Sequence, residues 1–586
     1  MKTRMDECDV LVIGSGMGGV RAAIEARRAG LDALIVDKSI LARASATIFA
    51  GSLVARRPPE YLVKKGLIEP GMEFDRPFDE SFRYFVKGGA RTGGSEYTAN
   101  QRVSMTVACD MERRADELRD FGVKDIFSQM WLGPVGRKGR DIILPMVDYA
   151  KKIGVRSRQM TMITDFIRQG EDIIGAIGFD ILRGEFVTLW SKAVVMATGS
   201  HGQIYERSYA PIRMTGDGYA MAYRAGAALS DMEMMGFDNW GIAEPGLPQY
   251  WLPPSLARLS GVLRNARGET FFMKYAQEHG IIGEGATLSL NDTFSKRYGR
   301  PFIELIPHLI KACQTEIMEG RGDGAAVFID LTQVPEERMY LDHNGVWTLN
   351  ILRGFDWKKR PIRIAPICMG DFKGGGVDID EKGKTTTRGL FAAGDVAPGS
   401  SLLYALVTGV LAGRNAASRA LHLQMPQVSS QTNDWIQHQQ AQLETILQRT
   451  LQDGPEPKDI KNRIKSVMWR CGGPLRHEDS LREGIDSLTK VEEELASKVA
   501  ASGSFRKLRE AVEALNMVTV GQMVLSASLY RTESRGYNQR VDYPNRDDKN
   551  WLKKTIITRE ESKMKVRPEP VELVFISPEE SRERKQ

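Results

Sequence analysis

Cysteine is scarce in this 586-residue chain: Cys8, Cys109, Cys313, Cys368 and Cys471 lie far apart and never form a CxxC pair. That usage fits a reducing cytoplasm and speaks against an iron–sulfur cluster or a zinc site built by this chain alone. The seven histidines show no metal-ligand spacing either. Excess charge is nearly absent, with 81 basic against 75 acidic residues, and no basic run interleaved with aromatics occurs, so nucleic acid is not an expected partner. Long apolar runs are also lacking. No stretch approaches the roughly 18 apolar residues of a membrane-spanning helix, and the opening MKTRMDECDVLVIG carries no secretory h-region. A cytoplasmic protein is expected, membrane-associated at most through partner subunits. What is present, 42% hydrophobic and 27% charged residues, is the composition of a soluble globular protein. Its length calls for roughly two to four domains.

The strongest positive signal is DVLVIGSGMGGVRAAIEARRAGLDALIVDKS, which reads as strand, glycine turn, helix, strand. Gly14, Gly16 and Gly19 form G-x-G-x-x-G directly after the apolar run. Gly14 suits the tight turn, Gly16 lets backbone approach a pyrophosphate, and Gly19 lets the helix pack on the sheet. The helix amino terminus then faces the phosphates with its partial positive charge. Asp37 closes the second strand, where an acid accepts ribose hydroxyls. Two later buried strands, AVVMATGS at 193–200 and GLFAAGDVA at 389–397, look like the paired elements of FAD-dependent two-domain flavoproteins. In those proteins the acid of the second element, here Asp395, binds the ribityl chain. FAD is therefore the expected cofactor.

Further segments extend the resemblance over the whole length: DKSILARASATIFAG, TGDGYAMAYRAGAAL, MEMMGF, NARGETFF, EGRGDG, SSLLYALVTGVLAGRNAA and RTESRGYNQRVDYPNRDDKNWLK. In this order they resemble the flavoprotein subunit of the fumarate reductase/succinate dehydrogenase family, which includes L-aspartate oxidase and, more distantly, adenylylsulfate reductase. The resemblance implies an α/β fold in which a Rossmann-like FAD-binding domain is split by a capping α+β domain and followed by a helical bundle. The expected boundaries are 1–231 and 360–425 for the FAD-binding domain, 232–359 for the cap, 426–535 for the helical domain, and 536–586 for a C-terminal segment. Residues 564–586, charged and proline-containing, read as a partner-binding or disordered tail. HEDSLREGIDSLTKVEEELASKV and FRKLREAVEALNMVTVGQMVLSASLY show three- and four-residue apolar spacing and are bundle helices. For the cofactor, the matching positions are Gly14, Gly16, Met17, Gly18, Gly19, Asp37, Lys38, Ser39, Ser45, Ala46, Thr47 and Gly51. Ala197, Thr198, Gly199, Asp217, Gly394, Asp395, Ser401, Leu402 and Leu403 complete them.

The substrate positions depart from the family. Dicarboxylate chemistry there uses two histidines and arginines, as bidentate recognition of carboxylates requires. MEMMGFDNWGI stands where the family reads phenylalanine followed by His-Pro-Thr-Gly, so Asp238 replaces one histidine and Trp240 the threonine. Aligned back from Gly375-Gly376-Val377, the second histidine falls on Asp371. The proton-donating arginine position lands on Ile306, and a gap would bring Arg297 or Arg300 there instead. Val396-Ala397-Pro398-Gly399 offers no substrate arginine, and Ser45 replaces the histidine that carries FAD covalently, so non-covalent FAD is expected. Asp238 and Asp371 are expected on the substrate side of the flavin, as a proton-transferring acid pair or as ligands of a cationic group. The plainer alternative pairs one of them with Arg258, Arg264 or Lys373 in a structural ion pair.

Other positions read two ways. Trp240 stacks on substrate or packs the cap; Cys368 is a thiol near the flavin or a small buried residue. Arg535 and Arg540, near Asn538 in the segment that approaches the active site, serve the pocket or tether domains. The catalytic candidates are thus Asp238, Asp371, Arg258 and Arg540. The leading functional expectation is an FAD-dependent oxidoreductase, a catalytic subunit moving hydride to or from an organic substrate other than fumarate or succinate. Its electrons would pass through a separate iron–sulfur protein. The alternatives are an electron-relay subunit with a closed pocket and a soluble flavin oxidase.

Overall fold

This computed structural model describes residues 2–50, 86, 97–124, 139–252, 262–279, 306–341, 348–575 and 577–578. Its central sheet is made from apolar runs without alternation, the mark of strands covered on both faces. β1 (Lys2–Ile13) pairs in parallel with β2 (Ala33–Val36) and β6 (Glu185–Met196), and β2 with β3 (Arg156–Arg158). The last residues of β6 also take β13 (Leu390–Ala392) in parallel. The first half of β6 carries the antiparallel pair β5 (Asp172–Asp180) and β4 (Thr161–Gln169). The carboxyl ends of β1, β2, β6 and β13 therefore share one edge, the place where open α/β sheets bind ligands. Behind that edge, helices Met17–Arg28 and Leu402–Leu421 pack backbone to backbone. A Cβ at Gly409 or Gly413 would come within 2.6 Å of the Gly18 or Ala22 carbonyl oxygen.

A second, antiparallel sheet has the order β8 (Met235–Ile242), β11 (Ile362–Lys373), β10 (Val327–Asp330), β9 (Val262–Arg264). With helices Phe272–Glu278 and Ile306–Met318 it encloses its own core around Trp240, Leu309, Cys313, Ile329 and Ile364. β11 continues in this sheet to Lys373, well past residue 359, where motif order in the sequence ends the cap.

Residues 564–570, which their composition assigns to a tail, are instead strand β15. β15 (Lys563–Pro570) forms a hairpin with β14 (Lys553–Glu560), which pairs with β7 (Leu229–Ser230); β12 (Gly376–Val377) completes that sheet. The alternation Met564, Val566 sets apolar side chains against the main core.

In helix Glu478–Lys498 the three- and four-residue spacing buries Leu481, Leu488, Val491 and Leu495. Helix Phe505–Tyr530 amends the expectation about apolar runs, because by length and composition it could cross a membrane. Within the fold it packs against helices Pro457–Gly472 and Glu478–Lys498, and 72% of its apolar window is buried. Just beyond it, Arg531 is fully buried between Asp231, Glu233 and Glu533, at 3.2, 2.6 and 3.0 Å. It also donates to the Lys553 carbonyl and the Thr555 hydroxyl.

Candidate cofactor and active site

The ligand edge of the main sheet opens into a cleft with about 810 Å³ of free space. Gly14 turns at φ +103°, and a Cβ there would overlap the carbonyl oxygen of Ala197. A Cβ at Gly19 would overlap the carbonyl oxygen of Gly14, so strand, turn and helix close only with glycine at both positions. The helix begins at Met17 with Gly16 as N-cap and no side-chain cap. Thr47 Oγ1 accepts the Met17 amide at 3.0 Å. The amides of Gly18 and Gly19 have no partner within the helix and remain for a pyrophosphate. At the end of β2, Asp37 accepts from the amide and hydroxyl of Ser15 and from those of Ser39. Its carboxylate is thereby aimed before any ribose arrives.

Sixteen of the sequence-expected positions line this cleft: Gly14, Gly16, Met17, Gly18, Asp37, Lys38, Ser39, Ser45, Ala46, Thr47, Ala197, Thr198, Gly199, Asp217, Gly394 and Asp395. Gly19 sits behind the turn. Ser401 caps helix Leu402–Leu421 through the Tyr404 amide and stands with Leu402 and Leu403 outside the lining, whereas Ala405 reaches it. Gly51 lies outside the described residues. Lys38 is held by Asp217, Thr215 and, at 3.0 Å, Glu513 of helix Phe505–Tyr530. Burial alone would raise the Glu513 carboxyl, but Lys38, Lys461 and Arg509 together bring it down to about 2. Sequence reasoning missed Arg213, Met162, Ile163 and Met221, which also line the cleft. Met162 and Ile163 come from β4 and Arg213 from the stretch before Asp217, with no motif of their own, whereas Met221 lies within TGDGYAMAYRAGAAL.

The FAD binding domain family model matches residues 9–408, and the model of the fumarate reductase flavoprotein C-terminal region matches 461–584. The chain belongs to the fumarate reductase/succinate dehydrogenase flavoprotein family. It is an FAD-dependent oxidoreductase by that membership, and the glycine cradle, bare helix terminus and Asp37 fit the cofactor. Among curated relatives, a fumarate reductase (CoM/CoB) chain of Methanothermobacter marburgensis is 26% identical, over 95% of this chain and 98% of its own. Among solved structures, a quinol fumarate reductase FrdA chain from E. coli superposes with a TM-score of 0.80 at 22% identity, covering 99% of this chain and 98% of that one. Adenylylsulfate reductase from Archaeoglobus fulgidus gives 0.73 at 19% identity, covering 98% of each chain.

At the positions where the family's histidines are expected, the cap sheet carries acids. Asp238 on β8 is 3% exposed. One of its oxygens accepts the Asn239 amide and the other the Trp251 indole N–H, both at 2.7 Å. Burial, against the hydrogen bonds from Trp251 and from the Asn239 and Trp240 amides, pushes its carboxyl up to about 7. Asp371 lies in β11, in the irregular stretch where the register passes from Cys368 opposite Phe237 to Lys373 opposite Met235. The fold thus brings the two acids onto adjacent strands. The structural ion pairs considered for Asp238 are not formed among the described residues: Arg264 holds Asp330 at 2.9 Å, and Lys373 donates to the carbonyls of Gly375 and Ala397. Arg258, Arg297 and Arg300 lie outside the described residues, and Ile306 opens helix Ile306–Met318.

Arg540, offered as a catalytic candidate, has the partners expected of the tethering alternative. It is buried, pairs with Asp542 at 2.6 Å and donates to the carbonyls of Ser528 and Arg531. Its guanidinium thus joins Asp542 of the C-terminal segment to the carbonyls that close helix Phe505–Tyr530. Arg535 is likewise held by Glu533 and Asp548, and Asn538 accepts from Arg476. Trp240 packs in the cap core, and Cys368 is a small buried residue at the base of the cap.

Proposed function

We propose that this chain is the catalytic flavoprotein subunit of a redox complex, exchanging hydride with an organic substrate other than fumarate or succinate and electrons with a separate iron–sulfur protein. The observation that carries the reading is Asp238. It is a buried acid, held by Trp251 and Asn239, on a strand where the family relatives are expected to bring a histidine to substrate. Bound FAD supplies the hydride chemistry. Asp238, poised near neutrality, holds or releases a proton at its carboxyl oxygen, while Trp251 and Asn239 fix the direction of both oxygens. An acid on this strand disfavours a substrate carboxylate and favours a neutral or cationic group. The scattered cysteines support a partner as the carrier of clusters. Ser45 at the cleft, with no nucleophilic imidazole, supports non-covalent FAD; acid precipitation should leave the yellow colour in the supernatant, and a yellow pellet would refute it.

The experiment is anaerobic purification of the native complex, with its polypeptides, iron and flavin quantified. The flavin spectrum is then titrated with fumarate, succinate and a panel of neutral and cationic unsaturated compounds. A stoichiometric iron–sulfur protein and silence toward both dicarboxylates are expected. A spectral response to fumarate would sink the proposal. With the responding compound in hand, D238N should lower turnover about 100-fold or more at unchanged flavin content. The electron-relay reading is favoured by one observation: Asp238, Asn239 and Trp240 are all buried and none lines the cleft. Unchanged turnover of the complex in D238N would select it.

A further inference from the structure

Lys373 is fully buried at the end of β11, and no carboxylate among the described residues lies within ion-pair distance of it. Its amine is instead held by two backbone carbonyls, Gly375 at 2.6 Å and Ala397 at 2.7 Å. A lone ammonium kept from water is costly, so such a group needs a charge partner or gives up its proton.

The partner's place follows from the cleft. With Asp37 suited to the adenosine ribose and the amino terminus of helix Met17–Arg28 to the pyrophosphate, the ring system of a bound FAD would extend toward Gly394 and Asp395. Lys373 stands just behind that wall. Ala397, which it binds, is two residues past Asp395, and Nζ is 5.8 Å from the ring centroid of Tyr219, whose hydroxyl donates to the Asp395 carbonyl.

We propose that Lys373 is a proton-coupled counter-ion of the flavin, taking up a proton at Nζ when the cofactor is reduced and releasing it on reoxidation. A flavin that accepts two electrons and one proton gains one negative charge. That charge raises the affinity of a nearby amine for a proton, so a second proton is bound at Nζ for each pair of electrons. Among the described residues facing Lys373, Asp231 also has its carboxyl raised to about 7, by burial and Glu233, but that carboxyl is turned to Arg531 and the Thr555 amide. Burial and Lys373 itself push His201 down to about 3, and both its ring nitrogens lack partners, so it stays neutral. Burial raises the hydroxyls of Tyr219 and Tyr404 beyond reach. Asp231 and Glu233, whose chain backs Gly375, are paired with Arg531. Burial, partly offset by Asp395, brings Lys373 down to about 7, so the coupling would act at and above neutral pH.

The test is spectroelectrochemical measurement of the flavin midpoint potential in the FAD-loaded full-length protein between about pH 5.5 and 9.5. Uptake of the second proton changes the equilibrium tenfold per pH unit, which for a two-electron couple adds about 30 mV per unit to the slope above neutrality. In K373M that added slope should vanish and the potential should fall below wild type, most at low pH where the ammonium is charged in both redox states. K373R should keep the higher potential at every pH without the change of slope. A K373M protein with wild-type potential and slope overturns the proposal. Should K373M fail to hold FAD, a change of slope persisting in K373R overturns it equally, and its loss supports it. The readout needs no substrate, so it stands or falls separately from the assignment of Asp238.

Discussion

The nucleotide cleft and the cap strand pair β8–β11 solve different problems with different materials. The cleft is built from backbone: glycines where a Cβ would strike a carbonyl, a helix that begins without a side-chain cap, and one carboxylate oriented by two serines. Few residue types satisfy such a site, and the family pattern returns there almost position by position. In the cap pair the strands fix only where side chains start, so the chemistry rests on what those side chains are. Asp238 is accommodated on β8 by two hydrogen bonds, to the Asn239 amide and the Trp251 indole, rather than by backbone shape. A fold holds its cofactor by shape and selects its substrate by side-chain identity, which is why family membership here speaks firmly about FAD and only coarsely about the reaction.

The comparison breaks most sharply at Gly14. G14A combines a left-handed φ, worth about 1–3 kcal/mol of strain, with overlap onto Ala197, and the purified protein should lack flavin absorbance altogether. Retained yellow colour would mean that the cradle is not set by backbone. Next is the wall shared with the helical domain. E513Q leaves Lys38, Lys461 and Arg509 short of a buried partner and should cost about 3–5 kcal/mol at pH 7 in chemical denaturation. Because the folded Glu513 carboxyl sits near 2, below its unfolded value, its contribution is present above the unfolded pKa and disappears as pH falls through about 2. Wild type and variant should therefore converge on acidification.

Asp238 has the opposite sign. Its folded carboxyl lies near 7 and its unfolded one near 3.8, so the folded state holds a proton that the unfolded state has lost, and stability falls as pH rises between them. D238N should gain on wild type by up to about 4 kcal/mol between pH 4 and 8 in urea midpoints; parallel curves would show that the acid is not desolvated. The smallest effect is W251F, which removes one hydrogen bond to the ionised form, about 1.5–3 kcal/mol. It should shift the Asp238 step in the same stability curve to higher pH by about one to two units.

The sequence disclosed the cleft because its signals are local. G-x-G-x-x-G, the acid at the end of β2 and the two later strand ends each declare themselves within a few residues. Arg213 and Met162 stayed hidden because they reach the cleft by tertiary folding, without a spacing rule. The split order of domains was legible from motif order, but β11 extends the cap sheet to Lys373 because strand pairing, not motif order, decides where a sheet stops. Arg540 looked free to meet substrate on charge alone, and only packing shows Asp542 and two carbonyls consuming its fork. Trp251 as the partner of Asp238 was equally invisible, lying 13 residues away across a turn.

Asp231 and Glu233 stand where the chain leaves the FAD-binding sheet for the cap, and Arg531 grips both of them together with Glu533, Lys553 and Thr555. The root of the cap is thus riveted to the C-terminal segment rather than hung on a free hinge. Pivoting there would drag the β14 hairpin along, and pulling on that hairpin would tilt the cap. A strain applied at either end of this cluster is therefore felt at the other.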